Sequence, residues 1–293
     1  MEDIIVAKAL VKRFKDVSAV DGIDISVRKG EIYGFLGPNG AGKTTTIRML
    51  TTLVPPTEGT IEIGSMSIPS HVKEARASIG IVQQQVSLDK DISVRQNIIY
   101  HAKLHKVPKK EMQERITKLA DMMELTPFLD REVVSLSGGW RRKTAIVCSL
   151  IHNPSILFLD EPTAGLDTQS RHILWDLIRL LNRNGTTIFL TTHYIEEAEY
   201  LCNRVAIIDN GKIKALGSPG NLCDSIGRMV VEYDGPNSIR EYRFFTSREA
   251  ARSFADTLDG ELDAKVRKTS LEDVFLELTG RKVLGDFTEV VRV

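Results

Sequence analysis

Apolar and polar positions change their rhythm three times along the chain. In the first third they form short β-rich runs at residues 4–11, 20–27, 31–36, 60–63 and 79–82, cut by turns such as Asp21-Gly22 and by Gly37. Residues 43–53 read as a helix that Pro55-Pro56 breaks, because proline lacks the N–H the next turn needs. From about residue 91 to 152 the spacing becomes helical, with Met112, Ile116, Leu119, Met122 and Met123 on one stripe. That stripe predicts core packing and not a cofactor box. After Pro154 strands and helices alternate. Residues 155–159 are a continuous apolar run, as a buried parallel strand requires. Asp167 is placed to cap a helix whose stripe is Ile173, Leu174, Leu177, Ile178 and Leu181, and Gly185 stops it. Residues 186–191 make the next strand. Residues 204–209 and 212–216 flank Asn210-Gly211, the strongest short hairpin signal.

Residues 217–220, Gly-Ser-Pro-Gly, read as a linker into a tail with a different layout. Strands are expected at 229–233 and 241–245. Thr246 with Glu249, and Ser270 with Asp273, have the spacing of capping boxes that open helices. Gly260 and Gly280 are the expected stops. The tail therefore reads as a small α+β domain.

Composition narrows the function. The 293 residues fit one large domain or two unequal ones. Lys plus Arg is 39 and Asp plus Glu is 39, so no global electrostatic case for nucleic acid exists. A hydrophobic content of 42% argues against disorder. Cys148, Cys202 and Cys223 have no CxxC spacing, which disfavours a zinc knuckle or a disulfide framework; free thiols suit a reducing cytosol. No apolar run approaches the roughly 18–20 residues that span a bilayer. The opening Met1-Glu2-Asp3 is acidic and lacks the apolar stretch of a secretory signal.

Three segments carry chemistry. Gly37-Pro38-Asn39-Gly40-Ala41-Gly42-Lys43-Thr44 matches GxxxxGK[ST] between a predicted buried strand and a helix. Its glycines let backbone N–H groups turn toward phosphates, Lys43 would bridge the β- and γ-phosphates, and the Thr44 hydroxyl would ligate Mg²⁺. Residues 155–161 are an apolar strand ending in Asp160 and Glu161, with Asp160 suited to hold Mg²⁺ through water and Glu161 to act as general base on an attacking water. Leu136-Ser137-Gly138-Gly139 precedes Trp140-Arg141-Arg142-Lys143, offering a hydroxyl and bare N–H groups at a helix entry. Alone it reads as an ordinary glycine-rich helix start. One chain thus carries two phosphate-binding ends.

With these motifs in this order, residues 1–220 resemble the ATP-binding subunit of an ABC (ATP-binding cassette) transporter. The resemblance implies an α/β fold: a P-loop NTPase cassette with a RecA-like core, an antiparallel β subdomain and a helical subdomain at about 91–152. A small α+β domain would follow at 221–293. It implies an ATPase that uses ATP and Mg²⁺, with Glu161, His193 and Gln84 catalytic and with Thr44, Gln84 and Asp160 at the metal. Phe14, Gly37, Pro38, Asn39, Gly40, Ala41, Gly42, Lys43, Thr44, Thr45, Ser137, Gly138, Gly139 and Asp167 would meet ATP. In that family the LSGG segment faces the nucleotide of a second subunit, so two ATP molecules are sandwiched head to tail. Phe14 lies where the family stacks an aromatic on adenine; its other reading is a core aromatic. Gln83-Gln84-Gln85 occupies the Q-loop, and which glutamine reaches the metal is open by one position. His193 matches the switch histidine, and residues 164–167 match the D-loop. Trp140 stands where Gln or Met is common.

The tail segment 270–281, SLEDVFLELTGR, resembles daunorubicin-resistance-type exporter ATPases. Its apolar Leu271, Val274, Phe275 and Leu278 would pack within the tail domain, or else on a dimer partner. The implied partners are separate transmembrane permease subunits, met through residues 84–105 and the segment Ser93-Val94-Arg95-Gln96-Asn97, and a second ATP-binding subunit. No nucleic-acid partner is expected. The implied place is the cytoplasmic face of the membrane. Two other readings stand beside the exporter: a soluble ABC ATPase acting on ribosomes or DNA, and an importer ATPase. The single cassette and the roughly 90 residues between P-loop and LSGG, without a long heptad run, weigh against the first.

Overall fold

The computed structural model describes residues 2–85, 87–234, 240–258 and 264–280; Gly260 and Arg281 lie outside them. From the N-terminus come β1 (Asp3–Phe14), β2 (Val17–Arg28), β3 (Ile32–Leu36), α1 (Lys43–Leu50), β4 (Glu58–Ile63), β5 (Met66–Ile68), α2 (Val72–Ser78) and β6 (Ile79–Val82). Three helices follow: α3 (Val94–Leu104), α4 (Lys109–Met122) and α5 (Gly138–Leu150). Then come β7 (Ile156–Asp160), α6 (Thr168–Arg183), β8 (Thr187–Thr192), α7 (Ile195–Leu201), β9 (Arg204–Asp209) and β10 (Lys212–Gly217). The tail holds α8 (Pro219–Ile226), β11 (Met229–Asp234), β12 (Arg240–Phe245), α9 (Arg248–Ala255), β13 (Lys265–Lys268) and α10 (Leu271–Thr279).

The central sheet has the order β10-β9-β3-β8-β7-β6, parallel except for the β9–β10 hairpin. Its inner strands β9, β3, β8 and β7 are buried on both faces, and alternate side chains feed two different cores. On one face, Tyr33, Phe35, Phe158 and Phe189 meet the antiparallel sheet β2-β1-β4-β5. Their rings touch around Phe189, with centroids 5.4, 5.7 and 5.5 Å away. On the other face, Ile32, Leu36, Leu157, Leu159, Ile188 and Leu190 meet the helices. Ile116 and Met123 of the predicted methionine stripe are buried there, with Met112, Leu119 and Met122 packed at its margin. Asn210 and Gly211 both take positive φ, +48° and +74°, in the expected two-residue turn.

The tail departs from expectation in three places. Residues 218–220 are not an extended linker: Ser218 accepts a hydrogen bond from Asn221 N at 3.2 Å and caps α8, with Pro219 in its first turn. Serine at the cap and proline next to it favour a helix start. Ser247 rather than Thr246 caps α9, because its extended backbone turns its hydroxyl toward Ala250 N at 3.2 Å. Finally, α10 packs on α8 within the tail, as expected, but it shares its apolar face with the cassette's helical-side core instead of the β12-β11-β13 sheet. Leu271, Val274 and Phe275 are buried in the helical-side core together with Leu222 of α8. Leu271 N also donates to Glu199 Oε1 of α7 at 2.6 Å. The small sheet is packed instead by α9, whose Phe254 lies 5.4 Å from Phe245 of β12.

Candidate functional site

Four neighbouring strands aim their carboxyl ends at one place. In the order β3-β8-β7-β6 they release the Gly37–Thr45 loop, His193, Glu161 and the Gln83–Gln85 loop respectively. Parallel sheets put their loops at this edge, so adjacency in the sheet makes neighbours of residues up to 156 positions apart (Gly37 and His193).

The loop after β3 closes on itself. Gly37 N donates to Thr192 O at 3.2 Å, and Ala41 N donates to Pro38 O at 3.2 Å. Gly42 has φ +108°, and a Cβ there would stand 2.5 Å from Ala19 O. A Cβ on Gly37 would stand 2.4 Å from Ile208 O, so these two positions need glycine on steric grounds. Asn39 and Gly40 are exposed at the loop tip, while Thr44 and Thr45 are half-buried in the first turn of α1. Lys43, 4% exposed, folds back across the loop and donates to Gly37 O at 2.9 Å and Pro38 O at 3.2 Å.

Glu161 is the hub. Lys43 Nζ lies 3.2 Å from its Oε1. Gln84 Nε2 donates to its Oε2 at 3.0 Å. His193 Nδ1 stands 3.2 Å from Oε2, in ion-pair range but without hydrogen-bond alignment. Of the three adjacent glutamines, Gln84 is therefore the one whose side chain bonds to Glu161. Burial pushes the Glu161 carboxyl up, but His193 and Lys43 outweigh burial and hold it below the ordinary glutamate value. The group is an ionised acceptor at neutral pH.

Asp160 is buried and bonded to hydroxyls. Thr191 Oγ1 donates to its Oδ1 at 2.6 Å, and Thr44 Oγ1 approaches the same oxygen at 3.4 Å. Thr44, Gln84 and Asp160 border a cavity of about 220 Å³. A hydroxyl, an amide and a carboxylate are the hard oxygen donors that suit Mg²⁺, so the residues present fit that ion.

The remaining candidates lie elsewhere. Phe14 is 49% exposed at the end of β1, with Lys12 Nζ 5.1 Å above its ring, so it is not a core aromatic. Ser137 caps α5 through its backbone only, leaving its exposed hydroxyl uncommitted to the helix. Ser137 and Gly139 border a separate cavity of about 150 Å³ with Trp140 and Leu166; Gly138 is exposed beside them. No hydrogen bond or ion pair among the described residues joins Ser137, Gly138 or Gly139 to the Gly37–Thr45 loop. Trp140 turns away from solvent to pack 4.3 Å from Phe128, with Lys143 Nζ 4.5 Å over its ring. Asp167 spends its carboxylate on α6, accepting from Ser170 N at 2.9 Å and Ser170 Oγ at 2.6 Å.

Two participants escaped the sequence reading. Thr191 holds the Asp160 carboxylate and the Glu161 backbone, donating to Asp160 Oδ1 and accepting from Glu161 N at 3.1 Å; its place two residues before His193 was the available signal. Arg142 lies beneath Glu161 and bonds only to backbone carbonyls, which no sequence pattern marks.

Similarity to known proteins follows the same outline. Residues 20–164 match the family model described as ABC transporter. A Nod factor export ATP-binding protein I from Cupriavidus metallidurans is 40% identical over 302 residues, covering 97% of this chain and 99% of the relative. Among solved structures, cbiO1 from Clostridium perfringens, described as part of the ABC transporter complex cbiONQ, has a TM-score of 0.69 at 28% identity over 74% of this chain and 89% of its own. The dimeric ABC transporter cassette MJ0796 has a TM-score of 0.67 at 26% identity over 73% and 98%.

Proposed function

This chain belongs to the ABC transporter family as an ATP-binding, ATP-hydrolysing subunit, and from that premise we propose that it powers an exporter by closing head to tail on a second cassette around two ATP molecules. The observation that carries this reading is the split between its two halves. Lys43, Gln84 and His193 converge on Glu161, while Ser137 and Gly139 border another cavity and, among the described residues, no hydrogen bond or ion pair joins them to the Gly37–Thr45 loop. A site built in this way is completed by a second copy presenting its own Ser137.

In the proposed reaction Phe14 stacks on adenine and the Gly37–Thr45 loop cradles the phosphates. A triphosphate in the loop competes with Gly37 O, Pro38 O and Glu161 for Lys43. Release from Lys43 leaves Glu161 free to take a proton from water, whose oxygen attacks the γ-phosphorus as ADP departs. Thr44, Gln84 and Asp160 are the residues that would hold Mg²⁺, which when bound neutralises charge on the β- and γ-phosphate oxygens. His193 and Gln84 orient the Glu161 carboxylate and the water.

Export as the direction is supported by the name of the Cupriavidus relative. Among the described residues no helix is long and apolar enough to cross a membrane. The proposed place of this chain is the cytoplasmic face, through separate permease subunits, which would also select the cargo. It keeps residues 1–220 as the cassette and 221–293 as a C-terminal domain.

The test is Glu161→Gln. The variant keeps its binding of a fluorescent ATP analogue and loses steady phosphate release by at least about a hundredfold, the scale of a general base. Phosphate release at the wild-type rate would contradict the assignment.

A further inference from the structure

Arg142 sits in the second turn of α5, five residues after Ser137, and is 4% exposed. Its bonds form an unusual set. Nη1 donates to Gln83 O at 2.5 Å and Gln84 O at 3.2 Å, while Nη2 donates to Asp160 O and Glu161 O, both at 2.9 Å. Two nitrogens with four hydrogens thus meet four carbonyls, two beyond the end of β6 and two at the end of β7. A guanidinium has the planar fork for this task; an ammonium has three donors at one point and cannot span both pairs.

Glu161 shows what the clamp opposes. Its φ is +47°, in the left-handed region that side chains with a Cβ seldom adopt. Its N–H is tied to Thr191 O and Thr191 Oγ1, both at 3.1 Å, and its C=O is tied to Arg142. Strained backbone at a functional residue persists only where its surroundings hold it from several sides. The Gln84 side chain reaches the Glu161 carboxylate from the other clamped peptide pair.

We infer that Arg142 is a positioning residue for hydrolysis: it fixes the spacing between Gln84 and Glu161 and ties both to the helix that presents Ser137. The chain's own nucleotide site and the Ser137 end offered to a neighbour are then joined through one rigid helix. Burial pushes the guanidinium down to about 10, with the Glu197, Asp160 and Glu161 carboxylates opposing that shift, so it stays a cation at neutral pH. This inference rests on Glu161 acting as the base.

The test compares Arg142→Lys and Arg142→Gln with wild type in the full chain, measuring kcat, KM for ATP, and the stoichiometry of bound fluorescent ATP analogue. Each variant loses at least about tenfold in kcat per bound nucleotide, while KM stays within about twofold. Lysine fails to rescue, because charge without the fork does not suffice. If Arg142→Gln does not fold, Arg142→Lys decides alone. A kcat per bound nucleotide within about twofold of wild type would overturn the inference, and so would a loss of rate matched by an equal loss of nucleotide sites. An active wild type that Glu161→Gln silences upholds the base assignment whatever Arg142 does; a wild-type rate in Glu161→Gln removes that assignment instead.

Discussion

At Glu161 one carboxylate serves Lys43, Gln84 and His193 at once, and its depressed pKa follows from that company. Phe14 has the opposite situation, half in solvent with Lys12 above its ring. Stacking a base on an aromatic is worth about 1–3 kcal/mol, so Phe14→Ala raises KM for ATP by about tenfold and leaves kcat within about twofold. Steady-state kinetics across ATP concentrations check this; an unchanged KM would remove Phe14 from the nucleotide site. Much of this chemistry was legible in the residues, because a phosphate loop and a strand ending in two carboxylates advertise their chemistry by type and spacing. Which of Gln83, Gln84 and Gln85 bonds to Glu161 was not, since a loop's register is set by tertiary contacts. Arg142 was hidden for a different reason: its partners are carbonyls, which every residue carries.

Among the elements, α10 shows how far periodicity reaches. Its start is readable: Ser270 N and Ser270 Oγ both donate to Asp273 Oδ2, at 2.8 and 2.9 Å. Its apolar face predicts burial but not against what, and the answer, α7 and α8, is set by tertiary contacts that periodicity does not encode. Asp273, 1% exposed, also accepts from Arg267 Nη1 at 2.7 Å and Arg267 Nη2 at 2.8 Å. Burial pushes its carboxyl up, but Arg267 and Ser270 pull harder and hold it below the usual aspartate value. Its contribution to stability is therefore present above the ordinary aspartate pKa of about 3.9 and fades as pH falls through the lower folded value. Asp273→Asn costs about 2 kcal/mol at neutral pH, less than a fully buried pair would because Arg267 is partly exposed. Urea unfolding of both proteins from about pH 7 down to about pH 2 should show the gap narrowing at the acid end. A gap constant with pH would assign Asp273 a role in packing alone.

For the whole molecule, the strand order decides the function. Placing β3, β8, β7 and β6 side by side gathers the phosphate loop, His193, Glu161 and Gln84, while α5 starts beyond that edge and carries Ser137 outward. On the proposed reading, the resulting surface is one half of a shared site. Sedimentation equilibrium of the Glu161→Gln chain, with and without ATP, measures whether two halves meet. The expected result is the mass of one chain without nucleotide, the mass of two with ATP, and one again when Ser137→Arg is added. A one-chain mass that persists in Glu161→Gln at saturating ATP would contradict it.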